Sequence, residues 1–236
     1  MQALKYTIIT LISLIGLFFL FGPEVIPDGF QPQEILDKAA ESDVIIIFNS
    51  GGWGNTPLQE AEDFTPIVEG VQDTLNEWGY KTVIIPYNRT RDGFMGKITA
   101  IKEFFSSFNF SSEILANDVE FLAEKLPGKK IIIAGLSNGA SFVNRTYQKL
   151  TGEVKESVYA ITAGVPFWEK PFESDNALQL DNVGKDTLVE GDASSLFSSL
   201  IKTPFSKKFE APGHDYFWSS IEVNSKIVNF LEDKFH

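Results

Sequence analysis

Short apolar blocks recur along this chain, each followed by Gly, Asn, Ser or Pro. Val44-Ile45-Ile46-Ile47-Phe48 is apolar at every position, the pattern of a strand covered on both faces. Thr82–Pro86, Lys130–Ala134 and Ser157–Thr162 read as the second, third and fourth strands, Thr187–Glu190 as a fifth and Lys207–Glu210 as a short sixth. Helical patterns fill the gaps. One opens at Thr65-Pro66, with threonine as cap and proline in the first turn, and runs to about Trp78. Residues 94–110 read as helical in part. Ser111 or Ser112 caps a helix to about Leu126, ended by Pro127-Gly128. Residues 138–151 form another, and Ser219 or Ser220 caps a last one towards Phe235. This alternation predicts an α/β fold, a mostly parallel sheet of about six strands with helices on both faces.

The N-terminus breaks the pattern. Residues 6–22, YTIITLISLIGLFFLFG, are apolar all round, and as a helix they would span about 25 Å, the short end for crossing a bilayer. No A-x-A-like cleavage site follows, so an uncleaved signal anchor is preferred to a signal peptide. Lys5 precedes the run, whereas Glu24, Asp28, Glu34 and Asp37 follow it, which orients the folded domain away from the cytoplasm. The expected organisation is an anchor or signal peptide over 1–22, a proline-containing tether over 23–42 with a helical turn near Glu34–Ala40, and one folded domain over 43–236. If the anchor is cleaved, the domain is secreted.

Composition narrows the function. The net charge is −12, with 32 acidic and 20 basic residues; this argues against nucleic acid and anionic lipid as electrostatic partners. The chain has no cysteine, which removes disulfides and thiolate chemistry. Of its two histidines, His236 is the last residue, so His214 is the one candidate for imidazole chemistry. Asn88-Arg89-Thr90, Asn109-Phe110-Ser111 and Asn144-Arg145-Thr146 fit the glycosylation pattern.

Gly135-Leu136-Ser137-Asn138-Gly139 is a G-x-S-x-G pattern set directly after an apolar strand and before a helix. That context describes a nucleophile elbow, in which a sharp turn exposes a serine hydroxyl. The pattern alone is weak; its position between strand and helix, with a well-placed histidine downstream, gives it value. The Gly-Gly-Trp-Gly of residues 51–54 offers no G-x-G-x-x-G and no Walker lysine, so a nucleotide site has little support.

The order of strands, glycine-rich loop, elbow, acid and histidine resembles the alpha/beta-hydrolase family over about residues 43–236. The six strands correspond to that family's third to eighth, as in compact members such as cutinases and small lipases. The resemblance implies a serine hydrolase with a Ser-His-acid triad and no cofactor or metal. Ser137 is the implied nucleophile and His214, in Gly213-His214-Asp215, the base. The acid is expected after the strand preceding the histidine strand, where Asp192 is preferred; Glu190, Asp186 and Glu169 are alternatives, because the family's frequent Gly-x-x-Asp spacing puts Ser194 in the acid position. Oxyanion donors would be the N–H of Asn138 and that of Gly52 or Trp53. Leu136, Phe167 and Trp168 are expected to bind substrate, the last two on a lid-like insertion; core packing is the competing reading of the aromatics. The expected reaction is carboxylic-ester hydrolysis, on a small-molecule or lipid ester. A peptidase, a thioesterase or a non-catalytic membrane-tethered binding protein of the same fold stands as the alternative.

Overall fold

The computed structural model describes residues 32–170, 172–182, 185–191 and 213–236, with Thr10, Ser13 and Gly16. Five parallel strands form one sheet: β1 (Val44–Asn49), β2 (Thr82–Tyr87), β3 (Lys130–Leu136), β4 (Val158–Ala163) and β5 (Ala177–Leu180), in the order β2-β1-β3-β4-β5. The continuous apolar runs are explained by what covers them. Along β1, Val44, Ile46 and Phe48 enter one core, while Ile45 and Ile47 enter the other. The first core is closed by α2 (Thr65–Glu77), through Ile67, Val68, Val71 and Leu75, together with the C-terminal helix (Ile221–Phe235). The second is closed by α1 (Pro32–Ala39), by α4 (Asn109–Lys125), which follows α3 (Gly93–Phe105), and by α5 (Asn138–Lys149). Each fully enclosed isoleucine contributes about 1.5–3 kcal/mol of burial, so a strand apolar on both faces is stable only in this sandwich.

The strand order has one consequence for chemistry. From β1 the chain crosses to β2 on one side and then to β3 on the other. The connections therefore diverge at the carboxyl ends of β1 and β3, where this type of sheet leaves a crevice. Asn49, the last residue of β1, is in register with Gly135 of β3. The glycine-rich loop and the elbow thus face each other across that crevice.

The expected strand at Thr187–Glu190 is instead a short helix; α6 is the turn Gly152–Lys155 and α7 is Thr187–Glu190, which makes the C-terminal helix α8. The fifth strand is Ala177–Leu180. Thr-Leu-Val-Glu has the higher strand propensity, but the Asp186 side chain accepts hydrogen bonds from the Leu188 and Val189 N–H groups and caps a helical turn there. The expected sixth strand, Lys207–Glu210, lies outside the described residues. Thr65 is the first residue of α2 and not its cap: the cap position is Phe64, and the Thr65 hydroxyl donates to the Leu58 carbonyl. The helix expected to start at Ser111 or Ser112 begins at Asn109, and both serines are buried. Ser220 is the cap residue of α8.

Among the described residues no helix is long and apolar enough to cross a membrane; nearly all of the 6–22 run lies outside them. Residues 32–39, expected within the tether, form α1, with Ile35 2% exposed and Ala39 fully enclosed in the second core. Ile35→Ala should therefore cost about 2–4 kcal/mol in urea denaturation; a loss below about 1 kcal/mol would make α1 a loose appendage. Burial also pushes the Asp118 carboxyl of α4 up to about 6 from 3.8. Above about pH 6 the group is ionised folded and unfolded, and the folded state carries the desolvation cost; below its unfolded value it is protonated in both and the cost vanishes. Asp118→Asn should raise the melting temperature at pH 8 and lose that advantage below about pH 4.

Candidate active site

Ser137 stands between β3 and α5 with φ 57° and ψ −120°. A non-glycine residue at positive φ stores about 1–3 kcal/mol of strain unless its surroundings hold it there. They do so from three sides. The Ser137 N–H donates to the Ala163 carbonyl of β4 at 2.9 Å, and the Ser137 carbonyl accepts the Ser141 N–H at 3.0 Å. The flanking glycines supply the third constraint. A Cβ on Gly135 would lie 2.4 Å from the Gly139 carbonyl oxygen, and one on Gly139 would lie 2.5 and 2.6 Å from the carbonyl oxygens of Asn49 and Ser50. The elbow helix therefore rests directly on the backbone at the end of β1, an approach that any side chain would block.

The loop after β1 is fastened to this turn. The Gly54 N–H donates to the Gly51 carbonyl at 3.1 Å, closing a turn with Gly52 and Trp53 at its centre. The Asn138 side-chain amide donates to the Gly52 carbonyl at 3.2 Å, and the Thr90 hydroxyl donates to the Trp53 carbonyl at 2.7 Å. Beneath the loop, the buried Arg89 guanidinium donates to the Ser50 carbonyl at 2.9 Å, and the Arg89 N–H to the Gly54 carbonyl at 2.8 Å. Burial lowers Arg89 to about 10, while the nearby Glu103 carboxylate acts to keep it charged. The rings of Phe108 and Phe142 pack about its charge at 5.2 and 5.3 Å. Asn138 opens α5, so its N–H has no acceptor within the helix. Gly51, not singled out in the sequence, comes closest to the serine: a Cβ there would lie 3.6 Å from that of Ser137.

The histidine arrives from the next strand end. Gly164 follows β4, and a Cβ on it would lie 2.3 Å from His214 Cε1. The imidazole thus lies over the residue adjoining the one that accepts the Ser137 N–H. Its Nδ1 is 2.8 Å from Asp186 Oδ2, and the Asp186 side chain is fully enclosed. Asp186 is well satisfied. Its Oδ1 accepts the N–H groups of Leu188 and Val189 at 2.9 and 3.2 Å, and its Oδ2 also accepts the Tyr216 hydroxyl at 2.8 Å. Burial acts to raise this carboxyl; the hydrogen bonds and charge of His214, the Tyr216 hydroxyl and the Val189 N–H outweigh it, and the group sits below the ordinary aspartate value. An ionised carboxylate only accepts, so Nδ1 carries the imidazole proton and Nε2 is left as the acceptor. Nε2 is buried without a hydrogen-bond partner among the described residues.

Of the four carboxylates considered from the sequence, Asp186 holds the histidine. Asp192, the preferred one, lies outside the described residues. Glu169 is engaged by Arg145 of α5 at 2.8 Å. Glu190 ends α7, whose N-cap is Asp186. Asp186 follows β5, so the rule of an acid after the preceding strand leads to it once that strand is placed at Ala177–Leu180. Its signal in the sequence was an aspartate directly before Thr187-Leu188-Val189, a helix cap. Tyr216, Arg89 and Gly51 carried no such signal.

The expected substrate residues divide. Leu136 is 2% exposed and belongs to the core under the elbow, so its side chain forms no wall of the site. Phe167 and Trp168 are 53% and 42% exposed. Their rings lie 5.0 Å apart, and Trp168 meets Phe104 of α3 at 5.4 Å. The Phe167 N–H donates to the Leu188 carbonyl, joining this aromatic strip to the Asp186 turn. Phe108 is part of the second core, and Phe172 packs against that core. The Asn144 sequon falls in α5 with its asparagine buried. Among the described residues no group of His, Asp and Glu is arranged to hold a metal ion.

No family model matches this chain, and no curated protein matches it in sequence. Solved structures do match. An acetylxylan esterase superposes with a TM-score of 0.55 at 15% identity, over 83% of this chain and 100% of that one. A cutinase-like protein from Cryptococcus sp. gives 0.52 at 14% identity, over 81% and 94%. The fold is that of the alpha/beta hydrolases.

The packing at the elbow sets a test that needs no activity. Gly139→Ala should lower stability by more than about 2 kcal/mol, since the atoms it meets are backbone. Gly152→Ala, with nothing within 4 Å of the added Cβ, should be neutral or slightly stabilising. Equal thermal shifts in the two variants would contradict the close approach.

Proposed function

We propose that the chain is a serine hydrolase that cleaves carboxylic esters through an acyl-enzyme. The observation that carries this reading is the conjunction of Ser137 at positive φ on a strand-to-helix turn with the 2.8 Å contact of His214 and Asp186. The chain order Ser, Asp, His is that of a triad on a nucleophile elbow. The superposed acetylxylan esterase and cutinase-like protein support it, at the level of fold.

In the proposed mechanism His214 Nε2 takes the Ser137 proton as Oγ attacks the ester carbonyl. Catalytic hydrogen bonds often tighten only with substrate bound; this accounts for an Nε2 without a partner among the described residues. Asp186 orients the imidazole and stabilises its protonated form. The N–H groups of Asn138 and of the Gly51–Trp53 turn receive the developing oxyanion. His214 then protonates the leaving alcohol and activates water for deacylation. No cofactor is required. The exposed rings of Phe167 and Trp168, with Phe105 joined to them through Phe104, favour an apolar acyl group, of a small or lipid ester. His214 Nε2, without a partner among the described residues, also fits a second reading, a non-catalytic tethered binding protein. The apolar run at residues 6–22 would tether the domain outside the cytoplasm, or direct its secretion if cleaved.

A fluorophosphonate probe should label the wild-type protein and not Ser137→Ala; absence of labelling in folded wild type would end the catalytic reading. With a p-nitrophenyl ester, Asp186→Asn should reduce kcat by about 10⁴, and Asp192→Asn should stay within a few-fold of wild type. The reverse result would move the acid to Asp192.

A further inference from the structure

Asp186 Oδ2 receives two hydrogen bonds of equal length, from His214 and from the Tyr216 hydroxyl, each at 2.8 Å. Tyr216 is 2% exposed. Its oxygen also accepts the Asn182 N–H at 3.1 Å, and the Asn182 side chain donates to the Gly213 carbonyl at 3.0 Å. The hydroxyl is therefore fixed in direction: one partner donates to it, and its own proton goes to the carboxylate. The Tyr216 ring stands edge-on to the imidazole, with centroids 5.9 Å apart. Burial, followed by this contact with Asp186, keeps the phenol protonated far above the ordinary tyrosine range, so it remains a donor at every working pH.

We propose that Tyr216 is a positioning residue that limits the negative charge Asp186 presents to His214 and thereby sets how readily the imidazole gives up its proton. Two donors share one carboxylate oxygen, and each weakens the oxygen's pull on the other. Without the hydroxyl, Oδ2 would interact with His214 alone, the imidazolium would be held more tightly, and a neutral base would exist only at higher pH. With it, part of the carboxylate's negative charge is committed to the phenol, so Asp186 orients the ring while holding its proton less tightly. Among the described residues, the other charged groups next to these in the chain are Asp181 and Lys185 before α7, Glu190 at its end and Asp215 beside His214. Asp181 bears on the Tyr216 phenol. All four are unchanged when the hydroxyl alone is removed, so the comparison isolates it.

Two readouts separate this inference from the ester-hydrolase reading, on which only its effect on rate depends. The first needs no activity. In a His236→Gln background His214 is the sole histidine, and its Cε1 proton can be followed by NMR against pH. Tyr216→Phe should move the titration midpoint up by about half to one unit. Incorporation of 3-fluorotyrosine, which strengthens the phenol as a donor and keeps the ring, should move it down. An unchanged midpoint in the fluorinated protein, or an unchanged or lowered one in a folded Tyr216→Phe, would overturn the proposal; the fluorinated protein decides the matter if the phenylalanine variant fails to fold. The second readout is the acid limb of kcat/KM for a p-nitrophenyl ester, which should move with the NMR midpoint while the plateau stays within a few-fold. Midpoints that move in proteins showing no hydrolysis would refute the esterase and leave the role of Tyr216 standing.

Discussion

Everything at the candidate site follows from one contact, the seating of Gly139 on the carbonyls of Asn49 and Ser50. With no side chain at that position, α5 starts against the end of β1. Ser137 must then occupy a left-handed conformation to make the turn, and its amide is directed at Ala163. The glycine loop follows β1 and so is carried to the serine, where Asn138 and Arg89 hold it by its carbonyls. A wider turn would leave the same residues in sequence and disperse them in space.

The second constraint is electrostatic. The region holds the buried guanidinium of Arg89 and the fully enclosed carboxylate of Asp186, and each is treated differently. Arg89 is placed between two rings, near Glu103 and under a carbonyl. Its task is mechanical, to support a loop. Asp186 is provided with four donors, enough to keep it ionised despite complete burial. Fixed donors do for this carboxylate what water would do in the open, and only one of the four, His214, is a group that changes charge in the proposed reaction.

How much of this was legible in the sequence depended on how local the cause was. The runs in β1, β3 and β4 were visible because burial on both faces leaves few polar positions within a strand, and β2, at the sheet edge, keeps the apolar run Val83-Ile84-Ile85. The elbow was visible because steric crowding there admits only glycine at two fixed spacings. His214 stood out as a candidate because the chain has almost no other histidine. The fifth strand was missed because Ala177–Leu180 is short and half-buried at the sheet edge, and its displacement moved the position where an acid was expected towards Asp192. Leu136 was misjudged for a geometric reason: it adjoins the serine in sequence, but successive strand residues point to opposite sides, and it faces the core. Tyr216 and Arg89 act through partners 30 and 39 residues away, and no local pattern marks such pairs.

The parallel arrangement of the sheet has a kinetic side. Every strand pair is joined by a crossover, so the contacts that assemble the site close long loops: Asn49 to Ala134 spans 85 residues, and Asn138 to Gly52 spans 86. Such contacts are slow to form, because chain entropy is lost before any interaction offsets it. Any stretch of consecutive residues that contains the supporting loop, the strained serine and its histidine must run at least from Gly51 to His214, most of the folded domain. The geometry at Ser137 thus exists only once the whole sheet has assembled, and a reagent that recognises that geometry would report on the folding of the entire domain.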